Sequence, residues 1–105
     1  MPPSPPRATD LSPGDKVLVL GIPEPDYLRE AAARLTAGIL VVIADDEPVR
    51  IARREFRELA NVMFQPGSAA EIPWRDGFFT KVIDMRQGEW PDPGRVAAEI
   101  SRVLG

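Results

Sequence analysis

Apolar residues gather in two short unbroken blocks in the first half of the chain, Val17-Leu18-Val19-Leu20 and Ile39-Leu40-Val41-Val42-Ile43-Ala44. Blocks of this length with no polar alternation predict strands covered on both faces, as in a parallel sheet lying between helices. Between them the period changes: Leu28, Ala31, Ala32 and Leu35 fall on one side and Arg29, Glu30 and Arg34 on the other, which predicts an amphipathic helix. Gly38 reads as the glycine cap of its carboxyl end. Asp45-Asp46-Glu47-Pro48 then predicts a helix start, with acids at the positive end and proline in the first turn, followed by Val49, Ala52, Phe56, Leu59 and Ala60 as its apolar stripe. Asn61-Val62-Met63-Phe64 and Lys81-Val82-Ile83-Asp84 predict a third and a fourth strand, with Pro66-Gly67-Ser68 as the turn that stops the third. Asp92-Pro93-Gly94 opens a last helix carrying Val96, Ala97, Ile100, Val103 and Leu104.

Strand and helix thus alternate, which places the chain in the α/β class, with right-handed crossovers, a mostly parallel sheet and helices on both faces. Ligands of such sheets collect beyond the carboxyl ends of the strands, here around Gly21 to Asp26, Asp45 and Ser68 to Glu71. The segment 1–13 holds Pro2, Pro3, Pro5, Pro6 and Pro13, so it reads as a flexible proline-rich arm, and 14–105 as one α/β domain.

Composition narrows the chemistry. With 105 residues, 44% hydrophobic, 28% charged and a net charge of −3, the chain has the balance of a single globular domain. Arg50, Arg53, Arg54 and Arg57 are interleaved with Glu55 and Glu58, and the one aromatic among them, Phe56, belongs to the apolar stripe, so they read as a solvated helix face and not a nucleic-acid surface. Cysteine and histidine are both absent, which excludes disulfides, thiolate nucleophiles, imidazole catalysis and the usual zinc sites. No catalytic residue and no metal ligand is therefore assigned. No apolar run approaches the ~18–20 residues of a membrane span, and prolines stand where a signal peptide has its apolar stretch, so the expectation is a cytoplasmic protein without membrane contact.

The order of these signals, from about Gly14 to Leu104, resembles the class I S-adenosylmethionine-dependent methyltransferases. Val17 to Gly21 resembles the family's first strand and glycine loop. Val41-Val42-Ile43-Ala44-Asp45 resembles its second strand, ending in the acid that holds ribose hydroxyls. Asn61 to Ala69 resembles the third strand and adenine turn, Ile72 to Phe79 the lead-in to strand four, and Ala98 to Leu104 the helix before strand five. The resemblance implies a Rossmann-like three-layer sandwich with about four strands in the order 3-2-1-4. It also implies a cofactor site at Gly21, Asp45, Asp46, Ser68 and Ala69.

The departures cluster at that site. Pro23 and Pro25 stand where the resemblance calls for the second and third glycines, and they remove N–H donors and restrict Ile22 and Glu24 to extended shapes. Val19 replaces an acid in the first strand, Ser68 an aspartate at the adenine, and Thr80 an aspartate after Phe79. The family's acceptor substrate is bound largely by parts after strand four, whereas this sequence stops at Gly105, where strand five would begin. The expectation is a degenerate, truncated methyltransferase-like domain without transfer activity alone, its affinity for S-adenosylmethionine or a nucleoside weak or lost.

Several residues carry two readings. Asp45 and Asp46 suit a ribose but equally suit helix capping. Trp74 and Trp90 suit an aromatic wall around adenine, but also the covering of a core edge and the closing of a loop. Asp84, without the Asn/Asp-Pro-Pro-aromatic pattern of DNA amino-methylating enzymes, reads as a solvated carboxylate at a strand end. The open edge of strand four predicts pairing, as a homodimer about a two-fold axis or with a protein partner. The alternative function is accordingly a non-catalytic interaction module. A third class is a transferase completed by another chain, with Gly21, Asp45 and Ser68 at its donor site.

Overall fold

The computed structural model describes residues 11–85 and 90–104. Its elements are β1 (Lys16–Leu20), α1 (Pro25–Arg34), β2 (Ile39–Ala44), α2 (Asp46–Glu55), β3 (Val62–Pro66), β4 (Lys81–Asp84) and α3 (Pro93–Val103). The four strands are parallel throughout and ordered β3-β2-β1-β4, the α/β arrangement and strand order expected from the sequence.

Burial on both faces explains why β1 and β2 have no polar alternation. Val17 and Val19 point into a core shared with Leu28 and Ala31 of α1 and Val49 and Ala52 of α2. Leu18 and Leu20 point the other way, into a core shared with Val96 and Val103 of α3. The sheet is therefore the middle of three layers. Strand order reverses between β1 and β4, so the segment 67–80 crosses the sheet on the α3 face, and it does so without a helix. It fills the space with Ala69, Ile72 and Phe79 and with the half-buried Trp74 and Phe78. The Trp74 ring lies 5.8 Å from Phe78 and 5.6 Å from Phe79, so this indole covers the core edge.

Two guanidiniums of α3 fasten that crossover, Arg95 by one bond to the Ala70 carbonyl at 2.8 Å and Arg102 by several. Arg102 donates to the carbonyls of Ile72 and Trp74, each at 2.8 Å, to Asp76 at 2.7 Å, and to both carboxylate oxygens of Glu99 at 2.7 and 3.1 Å. Glu99 in turn accepts the Ile72 N–H at 2.9 Å. An extended crossover has backbone carbonyls that no helix satisfies, and the planar fork of arginine meets several of them from one position.

The amino ends of the strands are tied by a second polar knot. Asp15 accepts the Ser12 N–H at 2.8 Å, the Thr80 hydroxyl at 3.0 Å and the Lys81 ammonium at 3.0 Å. Thr80 also accepts the Lys16 N–H at 2.9 Å. Both carboxyls are held below the ordinary carboxylate range, Asp15 chiefly by the Ser12 N–H and then Lys81, Glu99 chiefly by Arg102. A carboxyl whose folded pKa is depressed contributes stability above its unfolded pKa, and this is lost as the pH falls through the folded value. Stability is expected to be flat from neutral pH to about 5 and to fall below about 4. Urea melts across this range should show the acid limb becoming shallower in Glu99→Gln; an unchanged limb would remove Glu99 from the account.

One sequence expectation changes at the chain's turns. Gly38 is not the cap of α1, which ends at Arg34 with Leu35 as its cap, and the positive-φ glycines among the described residues are Gly21 and Gly77. Gly38 is glycine because any Cβ there would collide with the Asp15 backbone carbonyl. The arm's residues 1–10 lie outside the described residues, whereas Leu11 is buried in the α1/α2 core and the Pro13 carbonyl accepts the Ala37 N–H at 3.0 Å.

At the far end of the chain, Phe79 and Leu104 form a parallel bridge, with the Phe79 N–H donating to Val103 at 2.9 Å. The backbone leaving α3 therefore enters the position beside β4, at the amino end of that edge. No helix among the described residues is long and apolar enough to cross a membrane.

Candidate functional site

The carboxyl ends of β1, β2 and β3 open into a cleft of about 780 Å³. Its wall takes in Gly21, Asp45, Asp46, Ser68 and Ala69, so all five residues singled out from the sequence meet in one place. Across from them stand Trp90 and Pro91.

Each position follows from local backbone chemistry. β1 ends at Gly21, whose φ of 101° suits a residue without Cβ, and whose N–H donates to Ile43 at 2.9 Å. Past that turn the chain runs extended: Glu24 has φ −60° and ψ 146°, the shape imposed on a residue before proline. Pro25 then occupies the first position of α1, where a missing N–H costs the helix nothing. The cleft wall takes in Gly21 and Ile22 from this turn and no residue of α1.

Asp45 follows β2 at the N-cap position of α2, yet its side chain makes no capping hydrogen bond. The capping reading of Asp45 is therefore not realised, and its exposed carboxylate faces the cleft uncommitted to the helix. Asp46 and Glu47 occupy the first turn of α2 beside it. The described residues lining the cleft carry these three carboxylates and no basic side chain. Gly67 donates to the Ala44 carbonyl at 3.1 Å, which ties the turn after β3 to the end of β2. Ser68 accepts the Ala70 N–H at 3.1 Å, so one lone pair of its hydroxyl is engaged in shaping the turn, and Ala69 is buried beneath it.

The remaining departures sit where the cleft does not feel them or feels them differently. Val19 is fully buried in the α1/α2 core, a place for an apolar side chain. Thr80 lies at the opposite end of the sheet, in the Asp15 knot. Asp84 is not a solvated strand-end carboxylate: it is half-buried and accepts the Trp90 indole N–H at 3.0 Å. Trp90 consequently does more than close a loop, since its ring is part of the cleft wall while packing against the α3-face core. Sequence reasoning missed this pair. The signal available was an aromatic donor six residues beyond a strand-end acid, which only the path of the intervening loop turns into a contact. Among the described residues no cluster of three or more acids, cysteines or histidines could hold a metal ion.

No protein-family model matches the chain, and no curated protein matches it. Solved structures do. A SAM-dependent methyltransferase from Aquifex aeolicus superposes with a TM-score of 0.80 at 23% identity, over 90% of this chain and 53% of that one. A methyltransferase in complex with the Trm112 activator from Haloferax volcanii gives 0.76 at 22% identity, over 90% and 42%. The [4+2]-cyclase SpnF gives 0.69 at 28% identity, over 90% and 36%. The chain thus has the fold of the SAM-dependent methyltransferases, and it spans about half the length, or less, of the structures it matches.

Proposed function

We propose that this domain is the donor-side half of a methyltransferase-like fold, holding an adenosyl group weakly in the cleft above Gly21 and transferring no methyl group alone. The observation that carries this reading is the uncommitted Asp45 carboxylate at the end of β2, facing the same cleft as Gly21, Ser68 and Ala69. A carboxylate there can accept both hydroxyls of a ribose, and the engaged Ser68 oxygen and buried Ala69 form a small, weakly polar seat for a base. Weakness follows from what the site lacks among its described residues: Ser68 brings no charge, and no lining cation meets a ligand carboxylate. In this reading the 105 residues carry the donor side alone, so the acceptor must be held by other residues before the two can be aligned for displacement. Fold likeness does not fix the chemistry: the methyltransferases and the cyclase superpose on the same ninety per cent of this chain.

Calorimetric and thermal-shift titrations with S-adenosylmethionine and S-adenosylhomocysteine test it. Ligand at ~100 times its dissociation constant adds ~2.7 kcal/mol of stability. Asp45→Ala should weaken binding ~10- to 100-fold, the worth of hydrogen bonds to a charged group. No shift at millimolar ligand would sink the reading.

A second reading has one observation in its favour: among the described residues β4 is an edge strand paired with β1 alone, apart from the Leu104–Phe79 bridge just before it. In it the domain is an interaction module that dimerises or docks a protein partner along Lys81–Asp84. Sedimentation of the samples used for titration separates the two: a monomer that binds nucleoside favours the first, and a dimer that binds none the second.

A further inference from the structure

The hydrogen bond from the Trp90 indole to Asp84 joins two positions with different fates in the chain. Asp84 closes β4, paired in register with Leu20 of β1, so its backbone is fixed by the sheet. Trp90 lies six residues later, outside any helix or strand, where an indole has no backbone ladder to hold it. Trp90 is half-buried: it packs against the α3-face core and also lines the cleft, together with residues that follow β2 and β3. We propose that Asp84 is a positioning residue that holds Trp90 as the wall of the cleft, and that this wall sets how firmly a flat base is gripped.

The proposal rests on the donor-cleft reading for its ligand, a purine nucleoside, and on the geometry above for the rest. None of the other described lining residues is aromatic, and Ile22, Ile43, Ala44, Pro48 and Pro91 offer aliphatic surface only. Ser68 and Ala69 are small, Asp45, Asp46 and Glu47 are charged, and Gly21 and Gly67 have no side chain. Trp90 alone among the lining residues presents an aromatic face, and stacking on such a face accepts any base. An unanchored indole would lose rotamer freedom on every binding event, whereas one already hydrogen-bonded has lost it beforehand. Asp84 therefore acts on affinity without touching the ligand.

The chain has two tryptophans, and Trp74 packs on Phe78 and Phe79 away from the cleft, so Trp74→Phe leaves Trp90 as the sole indole reporter. In that background S-adenosylhomocysteine should change the Trp90 emission and give a dissociation constant. Trp90→Ala, followed by calorimetry, should weaken binding ~5- to 100-fold, the worth of one stacked base. Asp84→Ala should weaken it ~2- to 10-fold and shift the ligand-free emission to the red. Asp84→Asn, whose amide oxygen still accepts the indole N–H, should restore both. Circular dichroism of each variant tells a lost wall from a lost fold, and the asparagine variant keeps the question answerable if the alanine variant fails to fold. Binding equal to the parent in Trp90→Ala, or in Asp84→Ala with its emission unchanged, would overturn the wall while leaving the donor cleft standing. Absence of binding in the parent itself would overturn both.

Discussion

Phe79→Ala is expected to cost about 3–5 kcal/mol, against a total stability on the order of 5–15 kcal/mol for a domain of this kind. Phe79 is fully buried. Its ring meets Phe78 edge-on at 5.0 Å and Trp74 at 5.6 Å, and its N–H anchors the backbone leaving α3. Truncation opens a cavity beneath α3 at a point where the crossover has no helix to collapse into the gap, so relaxation recovers little of the loss. The loss should appear as a lower urea midpoint with an unchanged slope. Phe79→Leu, which refills most of the volume, should cost markedly less. Equal midpoints for the parent and the alanine variant would mean that this ring is not the keystone of the α3 side.

Gly38→Ala should be comparably damaging although it adds one methyl group on a half-buried residue, at a cost of about 3 kcal/mol or more. The new Cβ would run into the backbone carbonyl of Asp15. That carbonyl accepts the Ile39 N–H at 3.1 Å, a bond that sets β2 beside β1 at their amino ends. Backbone cannot rotate away as a side chain can, so relief requires the two strands to separate where pairing begins. Gly14→Ala, two residues before β1 in open space, is the control and should leave the midpoint nearly unchanged. If the Gly38 and Gly14 variants melt alike, the close approach is not what demands glycine at Gly38.

These two residues also mark how far the sequence could be read. β1 and β2 were legible because strands buried on both faces need no alternation, and a run such as Ile39 to Ala44 has few other uses. The stripes of α1, α2 and α3 were legible because each helix buries one face on the sheet. Gly38 was visible as a special position but misassigned, since a glycine after a helix has two common causes and only coordinates choose between cap and contact. Arg102 was illegible: it serves carbonyls 28 and 30 residues away, and no local pattern announces a partner at that distance. At the cleft, the five residues came from the family resemblance, and they lie near strand ends, which any parallel sheet brings together. The Asp45 side chain and the Asp84–Trp90 bond depended on loop paths that neither propensity nor periodicity encodes.

The Asp15 knot lies under the sheet and the cleft lies over it, with the length of the strands between them. Fastening and opening are thereby assigned to residues that share no partner. Substitutions around Gly21, Asp45 and Ser68 are thus expected to change the lining of the cleft while Asp15, Thr80 and Lys81 go on closing the other end.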